Sequence, residues 1–239
     1  MISKEAARTV VGVLGNIISF LLFMSPVPTF VQIVKKGSVE LYSPAPYLGT
    51  FINCCLWVVY GLPAVHPHSL LVISINGAGV AIELAYLLLF VRYSDRKKRL
   101  QVLLAIGVEL VVVGVVAFLV LTLAHTAHLR STIVGSLAMV GNVIMYAAPL
   151  SVMKLVISTK SVEYMPLSLS LASLANAICW SIYALIRFDP FIFAPNGVGA
   201  LFGVAQLILY AIFYSKSKKQ QTIESRDKGE IGLNGNPKA

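Results

Sequence analysis

Long stretches of this chain contain no Asp, Glu, Lys or Arg, among them the 26 residues between Arg8 and Lys35, then Leu41–Ile82, Tyr164–Ile186 and Pro190–Ser215. Roughly 20 apolar residues, at about 1.5 Å each along a helix, cross the hydrocarbon core of a bilayer. Only 12% of the residues are charged, against about 25% in ordinary soluble domains. The apolar sequence divides into seven spans, at 10–33, 46–64, 69–92, 100–124, 131–153, 167–186 and 191–214. The expectation is an all-α, multi-pass membrane protein. A soluble enzyme, a disulfide scaffold and a disordered tail protein are excluded.

The formal net charge of +9 is sorted by side. With alternating crossings, only Lys4, Arg8, Arg130 and Arg187 share the side of the N-terminus; the other 15 of the 19 Lys and Arg lie opposite. Basic loops stay cytoplasmic, so the N-terminus is expected outside and the C-terminus inside. The basic excess is a topology signal, so the partner is a lipid bilayer and no nucleic acid is expected. The first span is too long for a signal-peptide core and no small-residue cleavage site follows it. Cys54, Cys55 and Cys179 all lie within spans, where Cys is a small packing residue; neither a disulfide framework nor a metal site is implied. From Lys216 the chain turns polar, and residues 216–239 are expected to form a disordered cytoplasmic tail.

Sliding the chain along itself by 123 residues aligns Gly12 with Gly135, Pro26 with Pro149, Ser38-Val39-Glu40 with Ser161-Val162-Glu163, Asn53 with Asn176, Trp57 with Trp180 and Tyr60 with Tyr183. After a slip of three residues, Asn76-Gly77 and Gly79 meet Asn196-Gly197 and Gly199. Chance matches in apolar sequence involve Leu, Val and Ala, so these mark a duplication. Each copy holds three spans. Three crossings would leave a directly following copy inverted, but the unmatched fourth span restores the starting side. The expected architecture is two parallel three-helix repeats joined by a linker helix, related by a pseudo-two-fold axis along the membrane normal. Residues 1–93 form the first repeat, 94–124 the cytoplasmic loop and linker, and 125–215 the second repeat. Transporters use such axes as pathways.

Asn53, Trp57 and Tyr60 fall on one helical face, as do Asn176, Trp180 and Tyr183. Counting from the outer helix ends places Trp57, Asn76, Trp180 and Asn196 at one depth, on the order of 10 Å below the surface. Amides offer donors and acceptors, and indoles offer flat apolar faces, which together match a neutral polyhydroxylated ring. The plainer readings are an interhelical hydrogen bond for Asn and an interfacial anchor for Trp. Recurrence in both copies favours a shared site for Asn76 and Asn196. For Asn53 and Asn176, substrate contact and interhelical bonding stand level. Pro26 and Pro149 interrupt the first and fifth spans, while Pro44, Pro46 and Pro166 lie where the second and sixth begin. They read either as ordinary helix starts or as pivots of an inner gate. Glu83 and Glu109, the only carboxylates within spans, have no counterpart in the other copy, and each reads as a proton-coupling group or a locally satisfied one. His66, His68, His125 and His128 fall in outer loops, where solvation is the ordinary state. No catalytic constellation, cofactor motif or metal-ligand set is present, so no enzyme and no cofactor is expected.

The stretches at 41–62, 147–171 and 196–210 resemble the plant SWEET sugar transporters, and the likeness covers residues 10–215. Parallel repeats are themselves a recognised property of that family, so topology and resemblance are not independent. The resemblance implies a facilitative, bidirectional uniporter of sugars working by alternating access at the cell membrane, assembled as a homo-oligomer. It places substrate-binding roles on Asn76, Asn196 and Trp180. Pro26, Pro46, Pro149 and Pro166 become the cytoplasmic gate or hinge, and Tyr60, Tyr183 and Asp189 the extracellular gate. Many members carry a small residue where this chain has Trp57, and two large indoles narrow the site. Monosaccharides, glucose above all, are therefore expected over disaccharides. Pro46 is followed by Tyr47 and Pro166 by Leu167, so the Pro-Gln pair of the wider superfamily is missing. The competing readings are a proton-coupled carrier of another neutral solute using Glu83 or Glu109, and a seven-span receptor.

Overall fold

The computed structural model describes the backbone of residues 3–234 and the side chains of residues 3–218. Its helices are α1 (Lys4–Phe23), α2 (Val27–Lys36), α3 (Ala45–Gly61), α4 (Leu70–Tyr93), α5 (Arg96–Leu123), α6 (Ala127–Met145), α7 (Ala147–Thr159), α8 (Leu167–Ile186) and α9 (Pro190–Asn234). They make seven legs, because α1–α2 and α6–α7 are each one crossing broken near a proline. Pro26 has no N–H to return to the Leu22 carbonyl; Ser25 N–H takes that carbonyl at 3.0 Å instead, and α2 restarts after the turn. In the second copy the break falls at Tyr146, just ahead of Pro149. Both copies then end this leg left-handed, at Gly37 (φ 68°) and at its repeat partner Lys160 (φ 57°). Lys160 adopts a conformation that glycine takes freely, and its ammonium lies 5.0 Å from the Phe213 ring.

Side-chain caps set the other starts. Ser3 Oγ accepts from Ala6 N–H, Thr126 Oγ1 from Leu129 N–H, and Asp95 Oδ1 from Lys98 N–H at 2.9 Å. That last bond holds the Asp95 carboxyl below its ordinary range. Pro44 and Pro166 occupy the positions just before α3 and α8, and Pro46 lies in the first turn of α3.

The architecture is the expected one: three legs, the single helix α5, and three more. The repeats interlock. α1 lies against α8 of the other copy, and α3 against α6. Glycine permits both approaches. A Cβ on Gly12 would lie 2.9 Å from the Tyr183 ring, and one on Gly135 would lie 2.9 Å from the Tyr60 ring. One face, called the N-face here, gathers the start of α1, the start of α6 and the α3–α4 and α8–α9 connections. Arg8 Nη1 donates to His68 O, Arg130 Nη1 to Ala64 O, and Ser131 Oγ to Val65 O across it. The opposite C-face holds the α2–α3, α4–α5 and α7–α8 connections. On α5, Val111, Val112 and Val115 are exposed, while Val113 and Val116 pack on the core.

Two expectations need correction. The segment from Lys216 was expected to be disordered, yet α9 runs on as far as Asn234. Lys, Gln, Glu and Arg have high helix propensity, and extending a helix is far easier than starting one. Residues 235–239 lie outside the described residues. Arg8, counted on the N-terminal side and left ahead of the first span, sits within α1 and is 4% exposed.

Candidate functional site

Where the two repeats meet, α1, α3, α4, α6, α8 and α9 enclose a cavity of about 200 Å³. All six polar and aromatic positions singled out in the sequence border it: Asn53, Trp57, Asn76, Asn176, Trp180 and Asn196. The two copies present their asparagines alike. Asn76 Nδ2 donates to Val72 O at 2.9 Å, and Asn196 Nδ2 donates to Ile192 O at 2.8 Å. Each amide thus spends one proton on its own helix, which fixes its plane. Among the described residues, the Oδ1 and second N–H of each have no protein partner.

Asn53 and Asn176 do two jobs at once. Asn53 Nδ2 donates to Asn142 Oδ1 at 2.7 Å, bonding α3 to α6. Asn176 Oδ1 accepts from Ser19 Oγ at 2.6 Å, bonding α8 to α1, and Trp180 Nε1 donates to the same Ser19 at 3.1 Å. Ser19 and Asn142 are repeat partners that the comparison of identical residues passed over. Gly141 makes room for the first pair, since a Cβ there would lie 2.6 Å from Asn53 Oδ1.

Toward the N-face the cavity is closed. Trp57 meets Tyr60 edge-on at 5.2 Å between ring centroids, and Trp180 meets Tyr183 at the same distance. Tyr60 and Tyr183 are fully buried above them. The Tyr60 hydroxyl donates to Asp189, 2.9 Å from either carboxylate oxygen. Asp189 Oδ1 also accepts the N–H groups of Phe191 and Ile192, capping α9. Tyr183 is covered instead by the Arg8 guanidinium, 4.0 Å from its ring centroid. Arg8 was not expected here.

Nor was His66, read from sequence as a solvated loop residue. It stacks on Tyr60 at 4.8 Å, shares a 2.8 Å hydrogen bond with Ser69 Oγ, and places Nε2 3.7 Å from Asp189 Oδ2. His66 and Asp189 hold equivalent positions in the two copies, with unlike side chains. Burial pushes the His66 imidazole below its ordinary 6.5, against the pull of Asp189 and with help from Arg187, Arg8 and His68. An imidazole released into water regains the ordinary value, so protons bind the N-face more tightly when it is open than when it is closed. The closed arrangement is therefore fully favoured above that value and loses stability as pH falls through it. The check is thiol labelling of Cys54, which borders the cavity. Taking the N-face from about pH 7.5 to about pH 5.5 should raise the wild-type labelling rate relative to His66→Gln. An unchanged ratio would remove His66 from the gate.

The proline set divides. Pro149 and Pro166 border a second, larger space on the C-face side, whereas Pro26 and Pro46 do not. The two carboxylates stand apart from the central cavity. Glu83 is buried in α4 and Glu109 is half-buried in α5, each with Oε2 unpaired. Among the described residues no cluster of His, Cys, Asp and Glu could hold a metal ion.

The model of the family "Sugar efflux transporter for intercellular exchange" matches residues 9–98 and 132–219, one segment for each repeat. The chain is 60% identical over 230 residues to "Bidirectional sugar transporter SWEET4" of Oryza sativa subsp. japonica, covering 96% of this chain and 88% of that protein. It is 54% identical over 227 residues to "Bidirectional sugar transporter SWEET7" of Arabidopsis thaliana, covering 95% and 88% respectively. Among solved structures it is similar to "The 3.7 A resolution structure of a eukaryotic SWEET transporter", with a TM-score of 0.86, 37% identity, and coverage of 89% of this chain and 99% of that one.

Proposed function

This chain belongs to the SWEET family of sugar efflux transporters for intercellular exchange, and on that premise we propose that it carries monosaccharides, chiefly glucose, in either direction by uncoupled alternating access. It is a multi-pass membrane sugar transporter, not an enzyme. The observation that carries the finer reading is the pair Asn76 and Asn196, each tied to its own helix by one amide proton and open to the cavity with the rest. Two amides across an axis, with Trp57 and Trp180 beside them, suit hydroxyls in the plane of a pyranose and C–H groups on its faces. The cavity of about 200 Å³ lies below the span of roughly 300–1,000 Å³ that holds drug-sized ligands, which favours one sugar ring over two.

In this reading residues 1–93 and 125–215 rock against each other, with 94–124 as the link. Asn53 and Asn176 hold the frame while touching the sugar. Tyr60, Tyr183 and Asp189 close the outer side, and Pro26, Pro46, Pro149 and Pro166 let the inner halves swing. The N-face is outside because the basic residues collect opposite it, and the membrane is the plasma membrane. The protein assembles as a homo-oligomer.

The experiment is radiolabelled glucose and sucrose uptake in cells lacking their own hexose transport, with surface protein measured. Wild type should show saturable glucose uptake that an uncoupler leaves unchanged, and little sucrose uptake. Trp57→Ala, by removing one indole, should raise sucrose uptake several-fold while glucose uptake continues. Glucose uptake that collapses with uncoupler would replace uniport by proton coupling. No glucose uptake by well-expressed wild type would end the hexose assignment.

A further inference from the structure

The two repeats differ sharply on the C-face side. In the first, α2, α3 and α4 meet through a cluster of aromatic rings. Phe30 stacks on Tyr86 at 4.5 Å and meets Tyr47 edge-on at 4.9 Å, and the Tyr47 and Tyr86 rings are 5.8 Å apart. This cluster lies within a large core that runs from Phe30 to Ile106. The repeat partners of Phe30, Tyr47 and Tyr86 are Met153, Ser170 and Gln206, and Glu83 is matched by Gly203. Little fills the space there. Among the described residues, the buried cluster in that half of the second repeat is a small one of Val156, Val162, Met165 and Phe213.

A cavity of about 510 Å³ occupies the place of the missing rings, running from Pro149 and Pro166 up to Asn142, Asn176 and Asn196. Those three asparagines border the central cavity as well. The walls of the larger space are mostly apolar, with polar side chains set among them. Ser170, Ser173 and Gln206 border it, and among the described residues no hydrogen bond is made by any of the three side chains. Ser170 is nevertheless buried. Tyr146 and Phe202 border it too, edge-on at 5.2 Å, with the Tyr146 hydroxyl donating to Pro195 O. Two hydroxyls and one primary amide, none of them spent on another protein group, thus border a space that leads to the ring of asparagines. Between them they offer donors and acceptors to a polar occupant.

We propose that this vestibule is a second sugar position, held by Ser170, Ser173 and Gln206, and that sugar reaches the central cavity from the C-face along the second repeat. The proposal rests on the hexose reading above and adds a sidedness that the pseudo-two-fold axis by itself denies. A monosaccharide pauses at the vestibule before entering the ring of asparagines, and a sugar leaving that ring passes the same three side chains. In the first repeat three rings occupy the equivalent space.

Two measurements test it, both on the full chain after wild-type glucose uptake has been established. That first step separates the two ideas: without glucose uptake the hexose reading fails, and with it the rest is decided by the vestibule alone. In the first measurement Ser170→Cys is placed in a background with Cys54, Cys55 and Cys179 changed to Ser, purified into lipid nanodiscs and labelled with a hydrophilic maleimide. Glucose should slow labelling at least threefold, and should do so equally when Asn76→Ala removes a central contact. Ser173→Cys is the second reporter if Ser170→Cys does not fold. Labelling that glucose does not slow in the Asn76→Ala background would overturn the second position. In the other measurement, Ser170→Tyr with Gln206→Tyr copies two of the first repeat's three rings into the second. Uptake should fall at least tenfold at unchanged surface level and unchanged thermal stability. Uptake within twofold of wild type would overturn the route along the second repeat.

Discussion

Replacing Asn76 by Ala should reduce glucose uptake to background, and Asn196→Ala should do the same on its own. Each asparagine gives one amide proton to its own helix, to Val72 O or to Ile192 O, and turns its remaining polar atoms on the cavity. Val72, Ile75 and Ile192 supply much of the neighbouring wall, and none of them can take over a lost hydrogen bond. A sugar hydroxyl left unpaired there loses about 1–3 kcal/mol. At about 1.4 kcal/mol per factor of ten, one truncated amide lowers uptake at limiting sugar roughly five- to 140-fold. The two sites act on one ring, so the double variant should be scarcely worse than either single one. The measure is the initial rate of radiolabelled glucose uptake per surface molecule. A rate within twofold of wild type for either variant would move the sugar away from the axis.

Asp189→Ala should be the most damaging change at the N-face. Asp189 accepts the Tyr60 hydroxyl proton and the N–H groups of two residues in the first turn of α9, and it faces His66. Loss of a helix cap costs about 0.5–2 kcal/mol. Leaving the fully buried Tyr60 hydroxyl unpaired adds about 1–3 kcal/mol. The second cost falls on the closed arrangement, because opening gives Tyr60 water. A carrier that cannot seal this side cannot complete its cycle, so uptake should fall at least tenfold. Asp189→Asn keeps an acceptor for both jobs and should lose only a few-fold, as should Tyr60→Phe. Labelling of Cys54 gives an independent reading: it should become faster in Asp189→Ala and little changed in Asp189→Asn. Wild-type uptake and labelling in Asp189→Ala would show that the seal lies elsewhere.

Much of this was legible in the linear sequence, and for local reasons. Charge-free runs mark spans without reference to anything distant, and Trp57, Asn76, Trp180 and Asn196 stand out because identical residues recur in both copies. What escaped were pairs whose chemistry differs between copies. Ser19 answers to Asn142, and His66 to Asp189, so a search for identity passes over both. The bonds they make also join residues far apart in the chain, 157 positions for Ser19 and Asn176, and 89 for Asn53 and Asn142. An uncharged polar residue deep in an apolar run, as Asn142 is, was the signal available. Arg8 escaped for a different reason. Counting charges by side places a residue on the correct face but says nothing of burial, and its guanidinium is covered by packing on Tyr183.

The interlocking of the copies also governs how the protein is made. The groups that α1 needs on α8, Asn176 and Trp180, follow Ser19 by 157 and 161 residues. At a translation rate of about 5–20 residues per second, α1 waits in the membrane for roughly 10–30 s before those groups leave the ribosome. Until then its glycine-notched face has no tyrosine to receive. Within its own repeat the bonds available to it are those from Asn16 Nδ2 to Ser74 Oγ at 2.8 Å, from Arg8 Nη1 to His68 O, and from the Tyr86 hydroxyl to Phe23 O. The nascent first half is thus a partly assembled species held together by α4, and the interval before α8 arrives is when insertase or chaperone contact matters most to yield.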